Sequence, residues 1–166
     1  MKTPVTAPFG THRLAGEFLA AALTVQPVAR SEVAELRQSV SLVGYYLLGH
    51  SVELSLKAFL LGRGLTIKVL RNKPYGHDLV ALVREARRRR LGNLVKLSRR
   101  DLAVIDTLNE CYGAKELEYA FTGARRLPHY SLAAGLAHTL LESVGPYCRK
   151  LAANKSFNPM PLRGTG

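Results

Sequence analysis

The fold is decided by residues 42–64, which read LVGYYLLGHSVELSLKAFLLGRG. On a helical wheel, apolar side chains cover almost the whole circumference, and small residues occupy only a narrow strip. A helix that is apolar on nearly every side is buried on more than one side. The stretch therefore predicts a central helix over residues 42–61, with one side in a bundle and another in a subunit interface. Gly62 and Gly64 are typical of residues that end a helix.

Three polar residues, His50, Glu53 and Lys57, share one narrow arc of this apolar helix. Glu53 precedes Lys57 by four residues, which is the favourable order for a helical ion pair. Charges on a buried helix are costly unless they satisfy each other. We therefore expect a buried polar cluster that fixes helix register or a dimer contact. His77 can reach Glu53 if the next helix packs antiparallel, and Asp78 suits the start of that helix.

The rest of the chain predicts more helices and no strands. Apolar residues recur at helical spacing in segments separated by Gly and Pro, over residues 12–24, 77–91, 98–112 and 129–153. The fold class is therefore all-α, an antiparallel bundle of about five helices. We expect a flexible N-terminal arm over residues 1–11, one helical domain over residues 12–153 and a flexible tail over residues 154–166. Residues 31–38 also look helical, residues 65–76 read as a connector, and residues 114–127 are less regular.

Composition excludes several classes of protein. The chain has 166 residues, 47% of them hydrophobic, which favours one folded domain and excludes extensive disorder. Its two cysteines exclude a disulfide scaffold and match no metal or redox spacing, which indicates reduced thiols in a cytoplasmic protein. No stretch predicts a transmembrane helix, so we expect no membrane association. Walker, dinucleotide and zinc motifs are absent from the sequence, so we expect neither cofactor nor metal.

The charge is strongly positive and unevenly distributed. Lys and Arg number 24 against 12 Asp and Glu, a net charge of +12. Residues 84–100 alone supply +7, because they contain eight basic residues and one acidic residue, Glu85. This segment is a candidate nucleic-acid-binding surface formed by Arg84, Arg87, Arg88, Arg89, Arg90, Lys96, Arg99 and Arg100. Since it contains no aromatic residue for base stacking, we expect it to contact the phosphate backbone without reading sequence.

Two blocks of the sequence resemble a known family. The run over residues 44–64 followed by YGHDL at residues 75–79 resembles the HEPN domain. The segments LNECY at 108–112, KELEY at 115–119 and TGARRLP at 122–128 are similar to the second half of small bacterial HEPN proteins. The resemblance covers residues 12–145 and implies a helical bundle that commonly dimerises. It also implies a link to RNA, since many members are metal-independent ribonucleases of toxin–antitoxin or defence systems. Others are non-catalytic modules that bind RNA or a nucleotidyltransferase-like antitoxin partner.

The family's nuclease motif is incomplete where it is expected. That motif is an Arg, four to six further residues and a His, often with a Tyr two residues later. Here Tyr112 and Leu117 occupy the Arg and His places, although Tyr119 matches the trailing Tyr and joins the candidate polar cluster. Substitutes for the catalytic pair exist at two other places, namely Arg71 with His77 and Arg125 with His129.

Three hypotheses follow from these observations. The first is a HEPN-like homodimer that binds RNA or a protein partner without cutting RNA. The second is a metal-independent ribonuclease in which His77 or His129 acts with a nearby Arg as acid or base and stabiliser of phosphate charge. The third is a structural scaffold whose charge only keeps it soluble.

Overall fold

The structure is a computed structural model that describes residues 7–25, 41–114 and 126–156. These residues contain six helices, one short 3₁₀ turn and no strand, so the prediction of an all-α helical bundle is confirmed. The elements are α1 (Ala7–Val25), α2 (Leu42–Gly62), α3 (Ile67–Arg71), α4 (Leu79–Arg88), the 3₁₀ turn (Leu91–Asn93), α5 (Arg99–Tyr112) and α6 (Tyr130–Ser156).

Helix α2 lies at the centre of the bundle and contacts α1, α4, α5 and α6. Its small residues are the places where neighbours come closest. Ser51 is fully buried and donates a hydrogen bond to the carbonyl of Ala15 on α1. A Cβ at Gly49 would lie 2.5 Å from the ring of Tyr112 on α5. The small-residue strip therefore lets α1 and α5 approach the backbone of α2, which places Tyr112 beside the polar residues of that helix.

Helix α1 begins at Ala7, so the prediction of a flexible arm is wrong for residues 7–11. Pro8 is compatible with the first turn, because a backbone N–H there has no partner within the helix. Phe9 packs against the core, and His12 Nε2 donates to the carbonyl of Leu141 on α6 at 2.8 Å. These contacts with the rest of the bundle order the start of the helix, and local sequence does not reveal them.

The predicted connector at residues 65–76 contains the short helix α3, whose first turn is capped by the Thr66 hydroxyl. A helix of five residues is too short to show apolar periodicity, which is why the sequence did not indicate it. Helix α4 starts at Leu79 rather than His77, because Asp78 is its N-cap and accepts a hydrogen bond from the backbone N–H of Ala81. His77 therefore lies in the loop before α4.

Helix α5 begins as predicted. The Ser98 hydroxyl accepts from the N–H of Asp101, and the Asp101 carboxylate accepts from the N–H of Ser98, which together form a capping box. Helix α6 continues through Pro146 and ends at Ser156, three residues beyond the predicted end. The predicted helix at residues 31–38, most of the less regular segment at residues 114–127 and most of the predicted tail lie outside the described residues.

Both cysteines belong to the hydrophobic core between the helices. Cys111 is 2% exposed and Cys148 is fully buried, and neither forms a disulfide. Burial raises the pKa of the Cys148 thiol to about 12. The described helices include none with the length and apolarity that crossing a lipid bilayer requires.

Candidate functional site

A buried carboxylate on α2 organises the polar cluster that the sequence predicts. Glu53 is only 2% exposed, and its Oε1 accepts a hydrogen bond from Lys57 Nζ at 2.5 Å. Lys57 is 13% exposed and also donates to the carbonyl of Gly76 at 2.7 Å. The lysine thus joins α2 to the loop that precedes α4 and brings His77 to the carboxylate.

The second carboxylate oxygen of Glu53, Oε2, accepts hydrogen bonds from two aromatic side chains, His77 and Tyr112. His77 Nδ1 lies 3.0 Å from Glu53 Oε2, so the predicted contact between these residues is confirmed. The Tyr112 hydroxyl donates to the same oxygen, and His50 Nδ1 lies 2.7 Å from that hydroxyl. Because the single phenolic proton points to the carboxylate, the Tyr112 oxygen accepts from His50 Nδ1–H. An ionised carboxylate can only accept hydrogen bonds, so His77 donates to Glu53 through Nδ1–H.

These contacts keep Glu53 ionised inside the protein. Burial on its own would raise the pKa of Glu53. The positive charge of Lys57 and the hydrogen bonds from Lys57, Tyr112 and His77 outweigh burial, and the pKa is lowered from its ordinary value. The buried negative charge is therefore balanced by the ammonium of Lys57 and by three hydrogen bonds.

The cluster forms one wall of a cleft of about 570 Å³. His77 is the member that reaches furthest into solvent, with 40% of its side chain exposed. Arg71, at the end of α3, lines the same cleft, so the fold brings together the Arg71 and His77 of one predicted catalytic pair. The apolar part of the lining comes from Leu54, Leu61, Ile67 and Leu70.

The remaining candidates of the polar cluster and catalytic pairs lie elsewhere. Asp78 serves as the N-cap of α4, and Asn109 Nδ2 lies 3.4 Å from its carboxylate. His129 is exposed just before α6, where its Nδ1 contacts the Ser131 hydroxyl at 2.8 Å. Tyr119 and Arg125 lie outside the described residues, so their proposed roles stay predictions.

The predicted nucleic-acid-binding segment divides into paired and unpaired residues. Arg88 and Arg89 both bind the carboxylate of Glu85, whose pKa falls to about 2 because of these hydrogen bonds. The other six residues are exposed and form no ion pair within the part of the chain that the structure describes. We call these six the basic surface: Arg84, Arg87, Arg90, Lys96, Arg99 and Arg100.

Three residues of the basic surface occupy positions that local stability does not favour. Arg99 and Arg100 are the first two residues of α5, where the helix dipole disfavours positive charge. Arg90 has a φ of 70°, in the left-handed region that favours glycine. Local backbone energetics therefore do not explain why arginine stands at these three positions.

Sequence reasoning did not identify Tyr112 or the Gly76 carbonyl as parts of the polar cluster. From the sequence, Tyr112 is the last residue of the helix predicted over residues 98–112 and stands at the Arg place of the nuclease motif, and in the structure it is buried. Its partner Glu53 is 59 residues away, so no local spacing connects the two. The available signal was a tyrosine in a core position, since a buried phenol needs a hydrogen-bond partner.

No group of three or more potential metal ligands occurs among the described residues. Comparison of the chain with protein-family models, curated proteins and solved structures returned no match.

Proposed function

We propose that this protein is a HEPN-like dimeric module that binds the phosphate backbone of RNA through its basic surface without cutting it. The observation that carries the proposal is the set of six exposed cations that have no acidic partner among the described residues. Five of the six are arginines, whose planar fork matches phosphate oxygens. They lie in the second half of α4, the following loop and the start of α5, which are consecutive parts of the chain.

The dimer is supported by apolar side chains of α2 that the described helices do not cover. Val43 is 60% exposed, and Tyr46 and Leu47 are only partly buried. The resemblance to the HEPN family also implies a protein partner, a nucleotidyltransferase-like antitoxin.

The RNA proposal is tested by fluorescence anisotropy of a short single-stranded RNA at increasing salt. We expect the logarithm of the association constant to fall with the logarithm of salt concentration by roughly 0.7 per neutralised phosphate. The double variant Arg87→Glu, Arg90→Glu should bind more weakly and reduce this slope by about 1.4. The matched control, Arg149→Glu with Lys150→Glu, makes the same charge change at exposed positions on α6.

Comparison of RNA affinity between the two double variants distinguishes contacts at the basic surface from the effect of net charge. Equal losses in both would show that only the net charge attracts RNA. Absence of salt-sensitive binding in the wild type would contradict the proposal and favour a structural scaffold.

A metal-independent ribonuclease is the second candidate, and one specific observation favours it. Arg71 and His77 line the same cleft, and His77 is oriented through Nδ1 by the buried Glu53. A carboxylate in this position fixes the tautomer in which Nε2 can accept a proton, as a general base for a ribose 2′-hydroxyl requires. Arg71 would stabilise the negative charge that develops on phosphorus oxygens.

The nuclease candidate is tested with the same RNA in the presence of EDTA. Cleavage that persists in EDTA and disappears in His77→Ala, but not in His129→Ala, would support the cleft as the active site. Cleavage of equal rate in both variants and in a mock preparation would indicate a contaminant.

A further inference from the structure

The cleft beside Glu53 is separate from the basic surface, so RNA binding at that surface does not explain it. None of the described residues that line it belongs to the basic surface. Its volume of about 570 Å³ is that of a site for a small organic molecule.

The polar residues that line the cleft carry one uncompensated positive charge. Glu53 and Lys57 neutralise each other across 2.5 Å, which leaves the guanidinium of Arg71 as the net charge of the described lining when the histidines are neutral. Arg71 is exposed and forms no ion pair with any residue that the structure describes. A single guanidinium matches one carboxylate, which it binds through two parallel hydrogen bonds.

His77 adds a further polar group to the lining. Its Nδ1 is occupied by Glu53, and Nε2 has no protein partner within the described ranges. In the neutral form Nε2 accepts a hydrogen bond, and in the protonated form it donates a second one to an anion.

The apolar residues of the described lining are aliphatic. Apart from the two histidines, the described lining contains no aromatic ring on which a base could stack. Ile67 is 41% exposed although it is a large apolar residue, and Leu54, Leu61 and Leu70 also line the cleft. Aliphatic side chains such as these bury an alkyl chain or a branched aliphatic group, and they provide no aromatic ring on which a nucleotide base could stack.

We propose that this cleft binds a small aliphatic monocarboxylate, with its carboxylate on Arg71 and its alkyl part against Leu54, Leu61, Ile67 and Leu70. The proposal goes beyond RNA binding and does not depend on it. Because a carboxylate on Arg71 occupies the place of a phosphate, such a ligand would also compete with RNA for the nuclease candidate.

The proposal is tested by isothermal titration calorimetry with octanoate as the probe. We expect saturable binding of one octanoate per chain. Acetate has the charge without the chain, and 1-octanol has the chain without the charge, so each should bind at least about tenfold more weakly.

Two pairs of variants on α3 test the charged contact and the apolar contact of the site separately. Arg71→Ala should weaken octanoate binding by about 10- to 100-fold, as expected for a lost charged hydrogen-bond pair. Lys68→Ala removes an exposed charge from the same helix outside the described lining and should change affinity by less than about twofold. Ile67→Ser should weaken binding severalfold, whereas Val69→Ser, which is exposed on the same helix but outside the lining, should not.

Three results would overturn the inference. They are no saturable binding of octanoate, equal binding by wild type and Arg71→Ala, or tighter binding of adenosine 5′-monophosphate than of octanoate. Octanoate binding that is lost in Arg87→Glu, Arg90→Glu and kept in Arg71→Ala would place the ligand on the basic surface and also contradict the proposal. Since the titration contains no RNA, failure of the RNA proposal leaves its outcome unaffected.

Discussion

The polar cluster around Glu53 and the basic surface of α4 and α5 use charge in opposite ways. In the cluster, one buried carboxylate is matched by a lysine on the same helix and by donors from two other parts of the chain. On the basic surface, six exposed cations have no acidic partner in the described chain. Matched buried charges fix how helices sit relative to one another, whereas unmatched exposed charges remain available for an external anion. The strongest charge signal in the sequence therefore does not mark the residues that are most constrained in the structure.

The largest expected effect comes from removing the buried carboxylate. Glu53→Gln leaves the ammonium of Lys57, which is 13% exposed, without its counter-charge. We expect the free energy of unfolding to fall by about 3 kcal/mol, the lower end for a broken buried pair, because Lys57 keeps the Gly76 carbonyl. Urea denaturation measures this loss.

The basic surface supplies the control for that measurement. Arg87→Gln should change the free energy of unfolding by less than about 0.5 kcal/mol, because its side chain is exposed and unpaired among the described residues. Adding Lys57→Met to Glu53→Gln should recover part of the loss, since no unpaired charge remains. If Glu53→Gln loses no more than Arg87→Gln, the distinction between the two regions fails.

A smaller loss should follow from Gly49→Ala, which tests how tightly Tyr112 is held in the cluster. The new Cβ would lie 2.5 Å from the Tyr112 ring, so the ring or the helix must shift. We expect a loss of about 1–3 kcal/mol by thermal or urea denaturation. Gly135→Ala on α6 meets no atom within 4 Å and should instead stabilise the protein by up to about 1 kcal/mol. A neutral Gly49→Ala would show that Tyr112 has room to move.

The smallest effect is a pH dependence within the predicted RNA-binding segment, at its one acidic residue. The pKa of Glu85 is lowered to about 2, so its pairing with Arg88 and Arg89 stabilises the folded state above the unfolded pKa of about 4.3. This contribution decreases as the pH falls toward 2. The difference in melting temperature between wild type and Glu85→Gln should therefore be largest near pH 6 and vanish near about pH 2.

Glu17→Gln is the control for this pH series. Glu17 forms an exposed pair with Arg13 across 3.7 Å, and such pairs contribute little. The melting temperature of the Glu17→Gln variant should equal that of the wild type at every pH. A difference for Glu85→Gln that stays constant with pH would contradict the role assigned to its ionised form.

The fold was predictable where the signal is local. The pairing of Glu53 with Lys57 depends on residues four positions apart, and it is confirmed. The capping box of Ser98 and Asp101, at the start of the helix predicted over residues 98–112, is an equally local feature. The length of α1 and the existence of α3 were not predictable, because packing against distant helices orders the former and the latter is too short for periodicity.

The candidate site shows the same division. His50, Glu53 and Lys57 follow from one helical arc, and the contact of His77 with Glu53 was expected for a particular packing of two helices. Tyr112 joins from 59 residues away, and Arg71 joins through a helix that the sequence did not indicate. The cleft therefore follows from tertiary packing, and its residues could be named from sequence only in part.

The two buried thiols have a practical consequence. A thiolate is the reactive form of cysteine, and Cys148 is fully buried with a pKa of about 12, while Cys111 is 2% exposed. An alkylating reagent such as iodoacetamide can therefore modify these two cysteines only during transient opening of the bundle. Because these are the two cysteines of the chain, the alkylation rate of the unmodified protein reports how often its core is exposed to solvent.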